Sequence, residues 1–327
     1  MMPQIEDPVA TLVRLLDKNM NVVKDDLSIA RITVTQAWYD RELLKNADGQ
    51  VTVALDRCED QKISFSGNAR RRAAYMHVDV WTVDKPELGI VGRKMREKIC
   101  AEVNRTIREK RSKPNETSYS CVGIGQTSGT HKAYHAAASN EPAPTDSAWS
   151  QLTNDDYEKI WYSDDNRYTN SVNVNAQYAL MLFRFKTNSY PEVAKQIILK
   201  FEGYGTAPGG SGVTIKVWNF STSAWQNAAM SSGEADETVT ITLTSALTDF
   251  IADDGCVYLL ARTTYASDGV APAVLHCDFS ECVVTVEGIT YCDVESYRDE
   301  DMVNVKPFVW HTRFTIKTWL FETVPST

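Results

Sequence analysis

The hydrophobic pattern of residues 72–111 changes from that of a strand to that of a helix. Over residues 73–82 apolar side chains occupy alternate positions, the period-2 pattern of a strand with one buried face. Over residues 91–107 they recur at every fourth position, which predicts an amphipathic helix, and Pro86 suits the first turn of that helix. The predicted buried positions are Ala74, Met76, Val78, Val80, Val91, Met95, Ile99, Val103 and Ile107. Such a helix needs a sheet to pack on, so we predict that the two elements share a core.

Shorter patterns of the same kind precede this stretch. Asp7 is a good helix N-cap, Pro8 suits the first helical position, and the apolar spacing that follows predicts a first helix. Alternating segments at residues 30–39, 50–55 and 62–65 predict strands joined by turns. Because helices and antiparallel strands follow each other in this order, we predict the α+β fold class for this part of the chain.

The middle of the chain has a different texture. Residues 126–147 are rich in Gly, Ser, Ala, Pro and Thr, so we predict a linker. Residues 148–289 hold short alternating segments separated by turn signals, which predicts an all-β sandwich. The apolar segment at residues 305–323 again reads as a long strand. We therefore predict a discontinuous α+β domain, residues 1–125 and 290–327, into which the linker and the sandwich are inserted.

Composition limits the classes of function. The 327 residues carry a net charge of −9, which disfavours a dedicated nucleic-acid binder and leaves room for a local basic patch. Membrane association is not expected, because no apolar run approaches the roughly 18 residues of a membrane span. The first residues lack the features of a signal peptide, and the seven cysteines lack a CxxC spacing, so we expect reduced thiols in a protein made in the cytoplasm.

The element order of the split domain resembles the tail-terminator, or tail-completion, proteins of long-tailed viruses. The strand at residues 73–82, the helix at 92–110 and a terminal strand at 312–322 carry the resemblance. It implies a structural virion protein of the tail and neck region at the head–tail junction, made in the host cytoplasm. It further implies a homo-oligomeric ring, a hexamer, that caps the tail tube and joins it to the head–tail connector proteins.

The middle of the chain resembles the jelly-roll and carbohydrate-binding-module sandwiches that decorate many virion and surface proteins. Residues 213–219, followed by Trp225, carry this resemblance. It implies an alternative function, that of a glycan-binding adhesin or decoration protein acting through the sandwich. Trp161, Trp218 and Trp225 are the candidate glycan platform, because the apolar face of a sugar packs on an aromatic ring. Packing between the two sheets is the alternative explanation for these tryptophans.

Three consecutive arginines, Arg70, Arg71 and Arg72, precede the central strand. In an acidic protein such a cluster is a candidate contact with an acidic neighbouring subunit or with DNA in the lumen of a ring. A solvated turn explains the cluster as well.

Catalytic and metal sites are not predicted. A nucleophile with a neighbouring base is not visible, so we do not expect an enzyme, and a glycosidase using paired carboxylates is the weakest alternative. The only cofactor we consider is a structural calcium ion in the sandwich, bound by adjacent acidic residues that otherwise read as solvated turns. A zinc site would lack a fourth ligand. The acidic pairs are Asp155 with Asp156, Asp164 with Asp165, and Asp253 with Asp254, and the histidine–cysteine group is Cys121, His131 and His135.

Overall fold

A computed structural model describes residues 4–36, 38–62, 69–302, 304 and 306–323. Contacts divide the chain into two compact units. The sandwich unit is Met1–Gln4 with Ser118–Val286, and the flanking unit is Ile5–Thr117 with Glu287–Thr327. The first limit predicted from sequence, residue 125, lies eight residues after Thr117, and the second, residue 290, lies three residues after Glu287.

The described residues form helices and strands with the following bounds. The α-helices are α1 Pro8–Asn19, α2 Arg41–Asn46, α3 Gly92–Lys110 and α4 Asn154–Glu158. The strands are β1 Ile32–Thr35, β2 Gly49–Lys62, β3 Ala69–Val83, β4 Glu116–Ser120, β5 Lys132–Ala138, β6 Ser150–Gln151, β7 Tyr168–Val172, β8 Tyr178–Lys186, β9 Ala194–Ala207, β10 Gly210–Ser211, β11 Val213–Asn219, β12 Ala224–Met230, β13 Glu237–Leu243, β14 Cys256–Thr263, β15 Ala273–Val286, β16 Ile289–Asp299 and β17 Val309–Thr323. Among these helices none is both long enough and apolar enough to cross a membrane.

The flanking unit is built on a five-stranded sheet, sheet A, with strand order β1-β2-β3-β17-β16. Strand β1 runs parallel to β2, and the other neighbours are antiparallel. Helices α1 and α3 share one core with this sheet. The alternating positions predicted on β3 are buried as expected, and each apolar α3 side chain in this core contributes roughly 1.5–3 kcal/mol.

Helix α3 begins at Gly92, so the prediction that Pro86 lies in its first turn is wrong. Pro86 opens a short 3-10 turn, Pro86–Leu88, which ends at Gly89 in the left-handed conformation with φ of 66°. The α-helix then starts at Gly92, where a Cβ atom would lie 2.5 Å from Cδ1 of Trp310. Val91 precedes the helix and is 51% exposed. The period of four therefore predicts the helix body, and the close approach to β17 sets its start.

The sandwich unit consists of two sheets around a second core. Sheet B has the order β10-β9-β15-β4, with β13 also paired to β9 and β7 to β15. Sheet C has the order β12-β11-β14-β8-β5-β6. The largest fully buried side chains between them are aromatic: Tyr119, Tyr157, Phe183, Phe185 and Phe201.

The predicted α+β class is wrong. The protein is mostly β, with 48% strand and 16% helix, and a discrete α+β domain of the tail-terminator type is not what it contains. The sequence reading underestimated strand length, because the second halves of β2 and β16 are exposed and largely polar and carry no alternating hydrophobic signal. Residues 126–147, predicted as a linker, contain β5, whose Ala133 and Ala136 are small enough to pack in tight sheet contacts.

Candidate functional site

The outer face of sheet C carries a row of aromatic and basic side chains. Alternate residues of its strands lie in the sandwich core, so the intervening residues face outward. On this outer face Lys132 of β5 pairs with Arg184 of β8, and Arg184 pairs with Tyr258 of β14. Trp218 of β11 pairs with Trp225 of β12 at the other side of the sheet. We call these five residues the aromatic row.

The rings on this face form two contacting pairs and are partly exposed. The Trp218 and Trp225 rings meet edge to face with centroids 5.1 Å apart, and Phe220 lies 6.0 Å from Tyr258. Tyr134 of β5 lies one row further along the same face. Burial raises the pKa of both Tyr134 and Tyr258, so their phenols are neutral at pH 7. Neutral phenols both donate and accept hydrogen bonds, as recognition of sugar hydroxyls requires.

A loop between β5 and β6, residues 139–149, crosses the same face, and we call it the strap. Trp225 donates its indole N–H to the carbonyl of Pro142 at 2.9 Å, and Trp149 donates to the carbonyl of Ala143 at 2.9 Å. An apolar cluster associated with these two tryptophans consists of Ala136, Ala138, Trp149, Tyr178, Leu180, Trp225 and Leu260. The strap therefore covers one side of the face and leaves Tyr134, Tyr258 and Arg184 outside this cluster.

The strap also brings a carboxylate to two cations of the sheet. Glu141 Oε2 lies 2.7 Å from Nζ of Lys216, and its Oε1 lies 2.8 Å from Nε of Arg262. The Arg262 guanidinium also lies 4.3 Å from the centre of the Tyr178 ring. Glu141 therefore joins β11 and β14 to the strap, and Arg262 in turn contacts Tyr178 of β8.

The structure brings together two of the three tryptophans predicted as a glycan platform. Trp218 and Trp225 form an edge-to-face pair on sheet C. Trp161 follows α4, donates its indole N–H to the carbonyl of Ile124 at 2.9 Å, and meets the ring of Tyr162 edge to face. We therefore assign Trp161 a role in holding its own loop.

The three arginines lie where β3 begins, in the flanking unit. The side chain of Arg70 falls outside the described residues. Arg71 lies 4.3 Å from the centre of the Trp319 ring, and Arg72 pairs with Asp60 at 2.8 Å. Because neighbouring strand residues face opposite ways, Arg71 and Arg72 belong to different faces of sheet A.

Arg71 is the end of a ladder of alternating cations and rings on one face of sheet A. Lys317 lies 4.8 Å from the Trp319 ring centre and 5.0 Å from that of Tyr75. Arg57 lies 3.8 Å from the Tyr75 ring centre. In contacts of this type the cation is attracted to the negative face of the ring. Arg71 therefore acts as part of a packed surface with Trp319.

One acidic pair predicted as a calcium ligand joins a larger carboxylate group. Oxygens of Asp165, Asp236 and Asp278 lie within 4.8 Å of one another. Asp278 is 2% exposed, lies at a β-bulge of β15, and accepts the backbone N–H of Asp165 at 3.2 Å. Burial raises the pKa of the Asp278 carboxyl. Arg167 Nε lies 2.6 Å from Asp236, so the group already contains a positive charge.

The other acidic pairs are helix and turn caps. Asp156 completes a capping box with Thr153 at the start of α4, where each residue bonds to the backbone N–H of the other. Asp254 accepts the backbone N–H of Cys256 at 3.0 Å. Local hydrogen bonds of this kind explain both positions without a metal ion.

The histidine–cysteine group considered for zinc does not converge on one point in the described residues. His131 Nδ1 accepts the backbone N–H of Lys186 at 3.1 Å, and His135 Nδ1 hydrogen-bonds to the hydroxyl of Tyr168. Burial raises the pKa of the Cys121 thiol to about 12.

Comparison with known proteins gives one family match, which lies within the sandwich unit. A family model described as the C-terminal domain of an uncharacterized protein matches residues 128–286. A comparison with curated proteins found no match. The similar solved structures include carbohydrate-binding β-sandwiches.

Three of these structures illustrate the level of similarity. The xylan-binding module CBM15 is 12% identical with a TM-score of 0.29, over 52% of this chain and 97% of that module. A family 16 carbohydrate-binding module-2 is 13% identical with a TM-score of 0.23, over 36% of this chain and 90% of that module. The enzymatically active domain of tailspike protein 4 of bacteriophage CBA120 is 8% identical with a TM-score of 0.23, and only 19% of that chain is covered. Similarities this low assign no activity to the chain.

Sequence reasoning missed Glu141, Lys216, Arg262 and Tyr258. Lys216 alternates with the buried Ile215 and Val217 on β11, a signal that places it outward beside Trp218. Nothing in the sequence shows that Glu141, in a segment read as a linker, reaches across the sheet to Lys216. These four residues come together because of the order of the strands in sheet C, which local sequence patterns do not predict.

Proposed function

We propose that the sandwich unit binds carbohydrate on the outer face of sheet C, without catalysis. The observation that carries the proposal is the aromatic row, in which Tyr258 pairs with Arg184 across β14 and β8 and the rings of Trp218 and Trp225 meet edge to face on the same partly exposed sheet face. Sugar rings have an apolar C–H face that packs on aromatic rings, while their hydroxyls need hydrogen-bond partners. A row of rings with polar groups at its end supplies both.

The polar part of the proposed site lies on β5 and β8. Lys132 and Arg184 each provide N–H donors, and Tyr134 provides a hydroxyl beside them. Arg184 is fixed by bonds to the carbonyls of Gly129, at 3.1 Å, and Thr130, at 2.8 Å. A side chain held in this way loses little conformational entropy when a ligand binds.

The tail-terminator function is not proposed, because it depended on the α+β class that the structure contradicts. The adhesin or decoration function named as the alternative from the sequence is the one that the geometry of sheet C supports. That support comes from the side chains on this face, since fold similarity alone does not imply function.

The test is binding of the full chain to soluble polysaccharides, measured by affinity electrophoresis, with Tyr258→Ala as the variant. We expect about tenfold weaker binding, or about 1.4 kcal/mol, because the ring would be removed from the platform. Tyr190→Ala is the matched control, since Tyr190 is 74% exposed and precedes β9 of the other sheet. Equal binding by Tyr258→Ala and the wild type would contradict the proposal, as would a wild-type protein that retains no polysaccharide.

A second candidate function is self-association through the flanking unit. The ladder that contains Arg71, Trp319 and Lys317 is partly exposed and offers cations and rings to an acidic surface of another copy. Native mass spectrometry tests this, and we expect an oligomer that Trp319→Ala shifts towards monomer. A wild-type monomer at micromolar concentration would exclude this candidate and leave carbohydrate binding unaffected.

A further inference from the structure

We propose that Lys216 and Arg262 form a carboxylate subsite for an acidic glycan, and that Glu141 of the strap fills this subsite when glycan is absent. The ligand class is a polysaccharide that contains uronic acid. This inference rests on the proposed carbohydrate binding, and it names which sugars the face of sheet C prefers.

The first support is the geometry of the cation pair. Each oxygen of the Glu141 carboxylate meets one cation, at 2.7 Å from Lys216 and 2.8 Å from Arg262. The side chains are 20%, 24% and 18% exposed for Glu141, Lys216 and Arg262, so the contact is partly shielded from water. Charge-assisted hydrogen bonds in such surroundings are short and about twice as strong as neutral ones. The two cations face one carboxylate, so the group of Glu141, Lys216 and Arg262 has a net charge of +1.

The second support is that Arg262 has fixing contacts besides Glu141. Its guanidinium lies 4.3 Å from the centre of the Tyr178 ring and donates to the carbonyls of Thr263, at 2.9 Å, and Thr264, at 3.2 Å. Lys216 projects from a central part of β11, where Ile215 and Val217 are fully buried. The cations therefore belong to the rigid sheet, whereas the carboxylate belongs to a loop.

The third support is the position of the subsite beside the aromatic row. Lys216 lies two residues before Trp218 on the same strand, so both side chains are on the outer face. Trp225, the partner of Trp218, holds the strap through the carbonyl of Pro142, the residue after Glu141. A sugar that stacks on these rings therefore approaches the place where the Glu141 carboxylate lies.

The chemistry of the exchange is one carboxylate for another. A uronic acid carries its carboxylate on C5 of the ring, so it can bond to Lys216 and Arg262 as Glu141 does while its ring stacks on the tryptophans. Glu141 then moves to solvent with the strap. Because the free protein must first release Glu141, its apparent affinity equals the intrinsic affinity multiplied by the fraction of molecules in which the subsite is empty.

The experiment compares trigalacturonic acid with its methyl ester by isothermal titration calorimetry. Glu141→Gln keeps the size of the side chain and removes its charge, so we expect it to bind trigalacturonic acid about tenfold more tightly than the wild type. Binding of the uncharged methyl ester should change less than twofold. The matched control is Glu281→Gln, which removes a carboxylate 2.8 Å from Lys200 on sheet B and is expected to leave both affinities unchanged.

A second variant covers the case in which Glu141→Gln disturbs the strap. Lys216→Met keeps Glu141 and removes one cation, and it should abolish the preference for trigalacturonic acid over the methyl ester. The inference is overturned if the wild type binds other glycans while neither variant changes the acid-to-ester ratio, and carbohydrate binding then stands. If neither the wild type nor Glu141→Gln binds any glycan, both proposals fail.

Discussion

Asp79 of β3 is the centre of a buried polar network in the flanking unit, and replacing it with asparagine is a sharp test of this core. Asp79 is 5% exposed. Its Oδ1 lies 2.8 Å from Nε2 of His311 and 2.8 Å from Nε of Arg313, both on β17. The His311 ring in turn stacks on Trp81 with centroids 3.7 Å apart. Asp79→Asn removes the charge that these donors face and places an amide N–H₂ group among them.

The magnitude follows from the burial of the partners. Removing one member of a buried ion pair costs 3–5 kcal/mol, because the other member is left uncompensated. The side chain of Arg313 is 25% exposed, so water can compensate it in part, and we take the lower end, about 3 kcal/mol. His311 is 2% exposed and has no such access. The variant should therefore lose about 3 kcal/mol of free energy of unfolding in the flanking unit.

Hydrogen exchange followed by mass spectrometry measures this loss locally, which matters because a chain of two units need not unfold in one step. Amides of β3 and β17 should exchange about 100-fold faster in Asp79→Asn, since each factor of ten corresponds to about 1.4 kcal/mol. Asp25→Asn is the control, because Asp25 pairs with Lys98 at the surface, and we expect no measurable change. A change below threefold in Asp79→Asn would refute the reasoning.

The same variant predicts a pH dependence. Burial, the largest influence, raises the pKa of Asp79, but hydrogen bonds from His311 and Arg313 outweigh it and hold the pKa below 3.8. The stabilisation is therefore present above the unfolded value and is lost as the pH falls through the lower folded value. The difference between wild type and variant should shrink as the pH falls below about 4. A difference that grows below pH 4 would contradict this assignment.

Three further predictions concern packing and thiol chemistry. Phe314→Ala should destabilise the flanking unit by about 3–5 kcal/mol in urea unfolding, because the ring is 1% exposed, and a loss below 1 kcal/mol would count against it. Gly92→Ala should lower the melting temperature by overpacking, at about 1–3 kcal/mol, since its Cβ would lie 2.5 Å from Trp310; an unchanged melting temperature would argue against that contact. Iodoacetamide at pH 8 should modify the exposed Cys58 first and spare Cys121, whose pKa is raised to about 12, as peptide mapping would show, and early modification of Cys121 would refute this order.

Local periodicity predicts the parts of this fold that a single chain segment determines. The alternation on β3 and the period of four on α3 identify the buried faces, because each pattern reflects one element packed on one core. The start of α3 was not predictable from its own residues, since Gly92 is placed by the approach of Trp310, more than 200 residues away. The tendency of Pro86 to start a helix is satisfied instead by a 3-10 turn.

The candidate site on sheet C was predictable only in part, for a related reason. Trp218 and Trp225 were recognised as aromatic residues in a sandwich, and their pairing across β11 and β12 follows from a short hairpin. Glu141 meets Lys216 because the strap crosses several strands, and the small residues around Glu141 give no hydrophobic signal of that path. To predict a long-range contact such as this one, the order of the strands in the sheet must be known, and that order depends on the whole sheet.

The position of β17 determines when the flanking unit can form during synthesis. In sheet A this strand lies between β3 and β16, yet it is the last described strand of the chain. At elongation rates of about 5–20 residues per second, all strands of the sandwich unit leave the ribosome before β17 does. Until then β3 has an unpaired edge of the kind that invites association with other chains. A nascent or truncated chain without β17 is therefore expected to hold a folded sandwich beside an unfinished, aggregation-prone sheet.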